Sequence, residues 1–158
     1  MNNKVSGRQI IITRIVDAPR DLVFKLWTDP QHVAQWWGPK DFTNPVCKMD
    51  VRPGGEWVQV MRGPDGTEYP GRSIFLEVDA PKLLVYKDAA DDSDARDEHL
   101  PEVINTVTFE EQANGTTKLT ILTQLKSRTD KATMTKLGYS TGMNQSLDRL
   151  ERYVRSTG

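Results

Sequence analysis

With 158 residues, 37% of them hydrophobic and 27% charged, the chain suits one globular domain with much polar surface. Its 21 basic and 22 acidic residues leave a net charge of −1, so no global field favours nucleic acid or an anionic membrane. Cys47 is the only cysteine, which excludes an internal disulfide and suits a reducing compartment; with no apolar leader in residues 1–7 and no run as long as a membrane span, the expected location is the cytoplasm.

Residues 1–7 read as a flexible segment, and one domain is expected over 8–156. Arg8 to Val16 is rich in β-branched residues and reads as a strand. Pro19 then suits the first turn of a helix, followed by Leu22, Val23, Leu26 and Trp27 at helical spacing. Thr28-Asp29-Pro30 closes that helix and opens a second short one, Gln31 to Trp36. Trp36 and Trp37 are adjacent, so their rings leave a helix about 100° apart and cannot both enter one core; one must face a second surface or a cavity.

Strand-like runs follow at intervals of about ten residues: Val46 to Val51, Trp57 to Arg62, Arg72 to Val78, Leu83 to Tyr86, Val103 to Phe109 and Thr117 to Leu125. Gly63-Pro64-Asp65-Gly66 and Asn114-Gly115 are hairpin turns between them. The stretch Asp88 to Glu98 carries six acids and one Arg and reads as a mobile, solvated loop; its spacing fits no EF-hand. Thr129 to Arg155 has helical composition, with Leu147, Leu150 and Val154 on one face and Met143 extending it. Gly138 and Gly142 share a face of this helix, either for close packing against the sheet or to leave room for a ligand. The predicted class is α+β, a curved antiparallel sheet of six to seven strands wrapped on a long C-terminal helix, with two short helices after the first strand.

Six stretches carry a family resemblance: Asp17-Ala18-Pro19, Leu26-Trp27-Thr28-Asp29-Pro30, Trp36-Trp37-Gly38-Pro39, Asp50-Val51-Arg52-Pro53-Gly54-Gly55, Gly63-Pro64-Asp65-Gly66 and Gly142 to Tyr153. In their order and spacing they resemble a bacterial homologue of the activator of the heat-shock protein 90 ATPase, within the START-like, or SRPBCC, superfamily. The resemblance implies a helix-grip fold with a deep, mostly apolar cavity, and no single activity. The eukaryotic activator binds its chaperone through two domains, and this chain is similar only to the C-terminal one.

Alternation along the strands nominates the cavity wall. Cys47, Met49 and Val51 form one inward set, and Trp57, Gln59 and Met61 a second, provided Gly54-Gly55 hosts no bulge. Phe75 and Glu77 share a side; inward, Glu77 is a polar ligand contact with a raised pKa, and outward it is ordinary surface. Asn105, Val107 and Phe109 form a comparable face. The candidate ligand-binding residues are Trp27, Trp37, Phe42, Met49, Trp57, Gln59, Met61, Phe75, Glu77, Tyr86, Gly138 and Gly142, an aromatic-rich set suited to planar apolar ligands. Against this stands the plain role of aromatics as core filling.

No catalytic residues, metal ligands or cofactor are expected. His32 and His99 lack partners at metal-ligand spacing, no Gly-x-Ser-x-Gly turn or phosphate loop occurs, and Cys47 reads as a buried inert thiol. Lys48, Arg52, Arg62 and Arg72 read as a solvated face interleaved with acids. The expected function is therefore binding of a small hydrophobic or aromatic molecule between sheet and C-terminal helix, by a monomer or homodimer. The alternatives are a module that engages a chaperone of the heat-shock protein 90 class and a polyketide cyclase-like or hydrolase-like enzyme.

Overall fold

The computed structural model describes residues 9–88, 103–125 and 139–157. In chain order the elements are β1 (Gln9–Val16), α1 (Arg20–Thr28), α2 (Pro30–Trp36), β2 (Thr43–Met49), β3 (Glu56–Arg62), β4 (Glu68–Asp79), β5 (Leu83–Asp88), β6 (Val103–Glu111), β7 (Thr117–Leu125) and α3 (Tyr139–Thr157). The strands form one antiparallel sheet in the order β1-β7-β6-β5-β4-β3-β2. Six strands thus make the expected meander, and β1 adds the seventh at the far edge.

Local chemistry sets the two short helices. Pro19 sits at the N-cap of α1, where its missing N–H costs nothing, and Asp21 and Lys25 complement the helix dipole at either end. Asp29 closes α1 through its backbone N–H to Lys25 O, then caps α2 by accepting from Gln31 N at 2.9 Å, with Pro30 in the first turn. The buried faces of the pair are Val23, Phe24, Leu26 and Trp27, then Val33 and Trp36.

Across the concave face of the sheet lies α3, whose buried stripe is Met143, Leu147, Leu150 and Val154, as its spacing predicts. Burying each such side chain contributes about 1.5–3 kcal/mol. At the β1 side, Arg14 ties sheet to helix, donating to Asp148 (2.6 Å), Glu151 (3.0 Å) and Asn144 (3.0 Å).

Two features depart from simple alternation. Strand β4 begins at Glu68 rather than near Arg72, and Val60 pairs with Pro70. Proline is tolerated there because, among the described residues, β4 pairs only with β3 before Ser73, leaving one side of the strand without a ladder. The second is a register shift between Phe75 and Glu77 where β4 meets β5. One extra residue reverses the parity of the strand. Phe75 is buried and Val78 packs on the core, while Leu76 and Glu77 are both exposed. The inward reading of Glu77 is therefore wrong: the bulge turns it to solvent.

Candidate functional site

Aromatic rings from four strands and both short helices meet beneath α3. Trp37 is the hub, with its ring 4.8 Å from Trp57, 5.3 Å from Trp36 and 5.7 Å from Trp27. Trp27 reaches on to Phe109 at 6.1 Å, and Phe109 to Phe24 at 5.2 Å. On the other side Trp57 stacks on Phe75 at 6.4 Å and meets Tyr86 edge-on at 5.2 Å. All four tryptophans of the chain thus belong to one wall, and edge-to-face pairs of this kind add about 0.5–1.5 kcal/mol each beyond burial.

Polarity on the same face is concentrated toward β3, β4, β5 and the ends of β6 and β7. Gln59 is buried and donates to Asn44 Oδ1 at 3.4 Å, and Thr123 donates to Asn105 Oδ1 at 2.8 Å. Ser73 Oγ donates to Asp88 Oδ1 at 3.1 Å. Burial pushes the Asp88 carboxyl up from 3.8 to about 6, with the Ser73 hydroxyl pulling the other way. Asp88 itself stays exposed to solvent, which screens the carboxyl and moderates this rise. The folded state holds this proton more tightly than the unfolded chain does. The stability it brings is full below pH 3.8 and is lost as pH rises through about 6. Asp88→Asn should abolish that fall, read as urea midpoints across the same pH window; an unaltered profile would show that Asp88 is not enclosed.

Two hydrogen-bond donors in the wall have no acceptor. The indole N–H groups of Trp27 and Trp57 are buried and meet no hydrogen-bond partner among the described residues. The Trp57 indole lies close enough to Cys47 to favour its thiolate, yet Nε1 does not reach the sulfur in hydrogen-bond geometry. Burial prevails and pushes the Cys47 thiol up, with Asp29 adding to the rise. A protonated thiol results, half-buried rather than buried as the sequence suggests.

The turn after α2 is held from above by α3. Gly38 N donates to Ser146 Oγ (2.9 Å) and Lys40 N to Gln145 Oε1 (3.0 Å), while Arg149 spreads over the carbonyls of Gln35, Trp37, Gly38 and Pro39. Desolvation holds the Arg149 guanidinium below its usual range, and neighbouring Arg152 lowers it further. Gly38 has φ +100°, and a Cβ there would come within 3.1 Å of Met61 Sδ, so any side chain at this position is strained.

Of the nominated residues, Trp27, Trp57, Gln59, Phe75 and Tyr86 are buried on this face, Trp37 is half-buried at its centre, and Met49 packs against its margin. Phe42 and Met61 are half-buried at the outer end, where Phe42 faces Tyr69 at 5.8 Å and Met61 lies against Gly38. Glu77 is outside. Gly142 packs beside Pro39, its virtual Cβ 3.6 Å from Cγ, against the turn rather than the sheet. Gly138 lies outside the described residues, as do His99 and residues 89–98 of the acidic stretch. Sequence reasoning missed Asp88, which composition assigned to that stretch but which ends β5 on the concave face, and missed Ser73 and Thr123.

Other candidates resolve into ordinary structure. His32 Nδ1 shares a 2.7 Å hydrogen bond with Tyr153 OH, joining α2 to α3. Arg52, Arg62 and Arg72 pair with Asp50, Glu68 and Glu56 at 2.6–2.8 Å, which neutralises the basic face. Among the described residues no group of three His, Cys, Asp or Glu side chains could hold a metal, and no helix is long and apolar enough to cross a membrane. A separate open groove of about 490 Å³ runs between Arg20 and the ends of β4 and β6, with Leu83 and Phe109 in its lining and an Arg20–Glu111 contact of 3.6 Å beside it.

Solved structures share this architecture closely. A protein from Nitrosomonas europaea superposes with a TM-score of 0.85 at 22% identity, covering 97% of each chain. A Mycobacterium smegmatis protein gives 0.82 at 27% identity, over 93% of this chain and 90% of that one. An AHSA1 protein from Silicibacter pomeroyi gives 0.74 at 21% identity, over 95% and 99%. Among curated proteins none matches the chain. The family model for Activator of Hsp90 ATPase homolog 1-like protein matches residues 17–155, from the turn before α1 to the last turn of α3, and the chain belongs to that family.

Proposed function

We propose that this protein binds a small planar apolar or aromatic molecule bearing a hydrogen-bond acceptor, between the concave face of the sheet and α3. Residues 8–156 act as one binding domain in the cytoplasm, without catalysis. The observation that carries this reading is the pair of buried, unpartnered indole N–H groups, Trp27 and Trp57, within a wall of aromatic rings. A buried donor without a partner costs about 1–3 kcal/mol, and a ligand carbonyl or ether oxygen removes that cost. The polar strip of Gln59, Ser73, Asp88 and Asn105 supports one polar end for the ligand, opposite an aromatic body.

Native mass spectrometry of the purified protein and tryptophan quenching across a hydrophobic library test the proposal. Trp57→Phe should weaken an acceptor-bearing ligand about tenfold and leave its acceptor-free analogue unchanged, whereas Glu77→Gln should change neither. Absence of quenching by every compound would end it. The family match favours a second reading, in which the convex face, with Leu76 exposed at the bulge, docks onto a chaperone of the heat-shock protein 90 class. An ATPase rate unchanged by this protein would remove that reading.

A further inference from the structure

We propose that the outer edge of β1 is a self-association surface, on which a second copy of this chain docks antiparallel about a two-fold axis through Thr13. The two edges of the sheet are built differently. Strand β2 is guarded: it carries Pro45, an exposed Lys48 and a register break between Thr43 and Val46, each of which discourages a further strand. Strand β1 has none of these. Its eight residues pair with β7 in unbroken register, and among the described residues no further strand pairs with its other side. Its one charged side chain, Arg14, is drawn to the inner face by Asp148, Glu151 and Asn144, so no charge projects along the edge.

The exposed face of this strand is also self-complementary. Ile11, Thr13 and Ile15 point outward, and the two isoleucines are 46% and 49% exposed. In an antiparallel pair centred on Thr13, Ile11 of each copy faces its partner's Ile15 and the two threonines face each other. These are β-branched cross-strand pairs of the favourable kind. Because β2 discourages a further strand, head-to-tail growth is disfavoured and assembly closes at two. An eight-residue strand is about 27 Å long, which offers an interface of the transient class below about 1,200 Å² rather than an obligate one. The dimer is therefore weak and concentration-dependent.

Sedimentation velocity on the full chain from about 10 µM to about 1 mM tests this. The weight-average mass should rise from one copy toward two, with a Kd on the order of 100 µM. The double variant I11K/I15K sets like charges opposite each other twice and should raise Kd about tenfold or more. The variant I11K/I15E sets opposite charges in the same register and should restore the dimer. Thr13→Arg, which places two cations on the axis, serves as an independent disruptor, and circular dichroism confirms that each variant folds. A mass of one copy at every concentration, a dimer that survives I11K/I15K, failure of I11K/I15E to recover it, or growth beyond two copies would each overturn the proposal.

Discussion

Trp36→Ala is expected to destabilise the protein by about 5 kcal/mol, enough to unfold much of a marginally stable population. Trp36 has no exposed surface, and its ring meets Trp27 at 5.0 Å and Trp37 at 5.3 Å, so truncation opens a cavity at the junction of both short helices. A second loss follows from Pro30. In a continuing helix the carbonyl of Leu26 would accept from residue 30, but proline has no N–H to give. Trp36 Nε1 donates to that carbonyl at 3.0 Å instead, so the indole satisfies an acceptor that the turn between the helices orphans. Trp36→Phe isolates this contribution and should cost about 1–3 kcal/mol. Trp57→Phe removes a donor that has no partner among the described residues and should cost less. Urea denaturation of the two Phe variants decides the point: equal losses would mean that the Leu26 hydrogen bond contributes nothing.

The tandem tryptophans show what a sequence can and cannot express. Two adjacent rings on a helix could not both enter one core, but Trp37 has already left the helix as the C-cap of α2 (φ −68°, ψ 141°), so both rings join one core, Trp36 at the junction of α1 and α2 and Trp37 against Trp57 on β3. The meander, its hairpins and the apolar stripe of α3 were legible because each rests on a short period in the chain. The bulge at Leu76 was not. Phe75-Leu76-Glu77-Val78 alternates equally well in either parity, and only the pairing of β4 with β5 places the extra residue. The polar strip was hidden by distance, because Ser73 acquires meaning from Asp88 and Asn105 from Thr123 only once strands far apart in sequence align. Composition misled outright at Asp88, which opens an acidic run yet sits on the concave face, where burial raises its pKa. Unpartnered indoles are invisible to any periodicity, because an acceptor that never arrives leaves no mark in the residues that need it.

Arg149→Met should cost about 2–3 kcal/mol and change the emission of Trp37, although the hydrogen bonds of Arg149 run to backbone carbonyls rather than to the aromatic wall. The guanidinium donates to Trp37 O (2.9 Å), Gly38 O and Pro39 O (both 3.1 Å), and Gln35 O (3.4 Å). These carbonyls converge where α2 ends, the negative end of the helix, and the Arg149 cation complements them, with Asp41 also favouring its charge. Methionine keeps the apolar stem and loses every donor. Trp37 O retains Asn44 Nδ2 at 2.9 Å, so the backbone of Trp37 stays partly held, while Gly38 and Pro39 lose their link to Arg149. Arg149→Lys keeps the charge, but a compact ammonium with three donors cannot span four carbonyls, so it should recover less than half of the loss. Thermal unfolding measures the stability term, and fluorescence with Trp37→Phe as background assigns the emission change. Lost stability with unchanged emission would separate the strap from the ring; loss of both together would mean that α3 sets the position of Trp37, and through it the contact with Trp57 at 4.8 Å on which the proposed ligand wall depends.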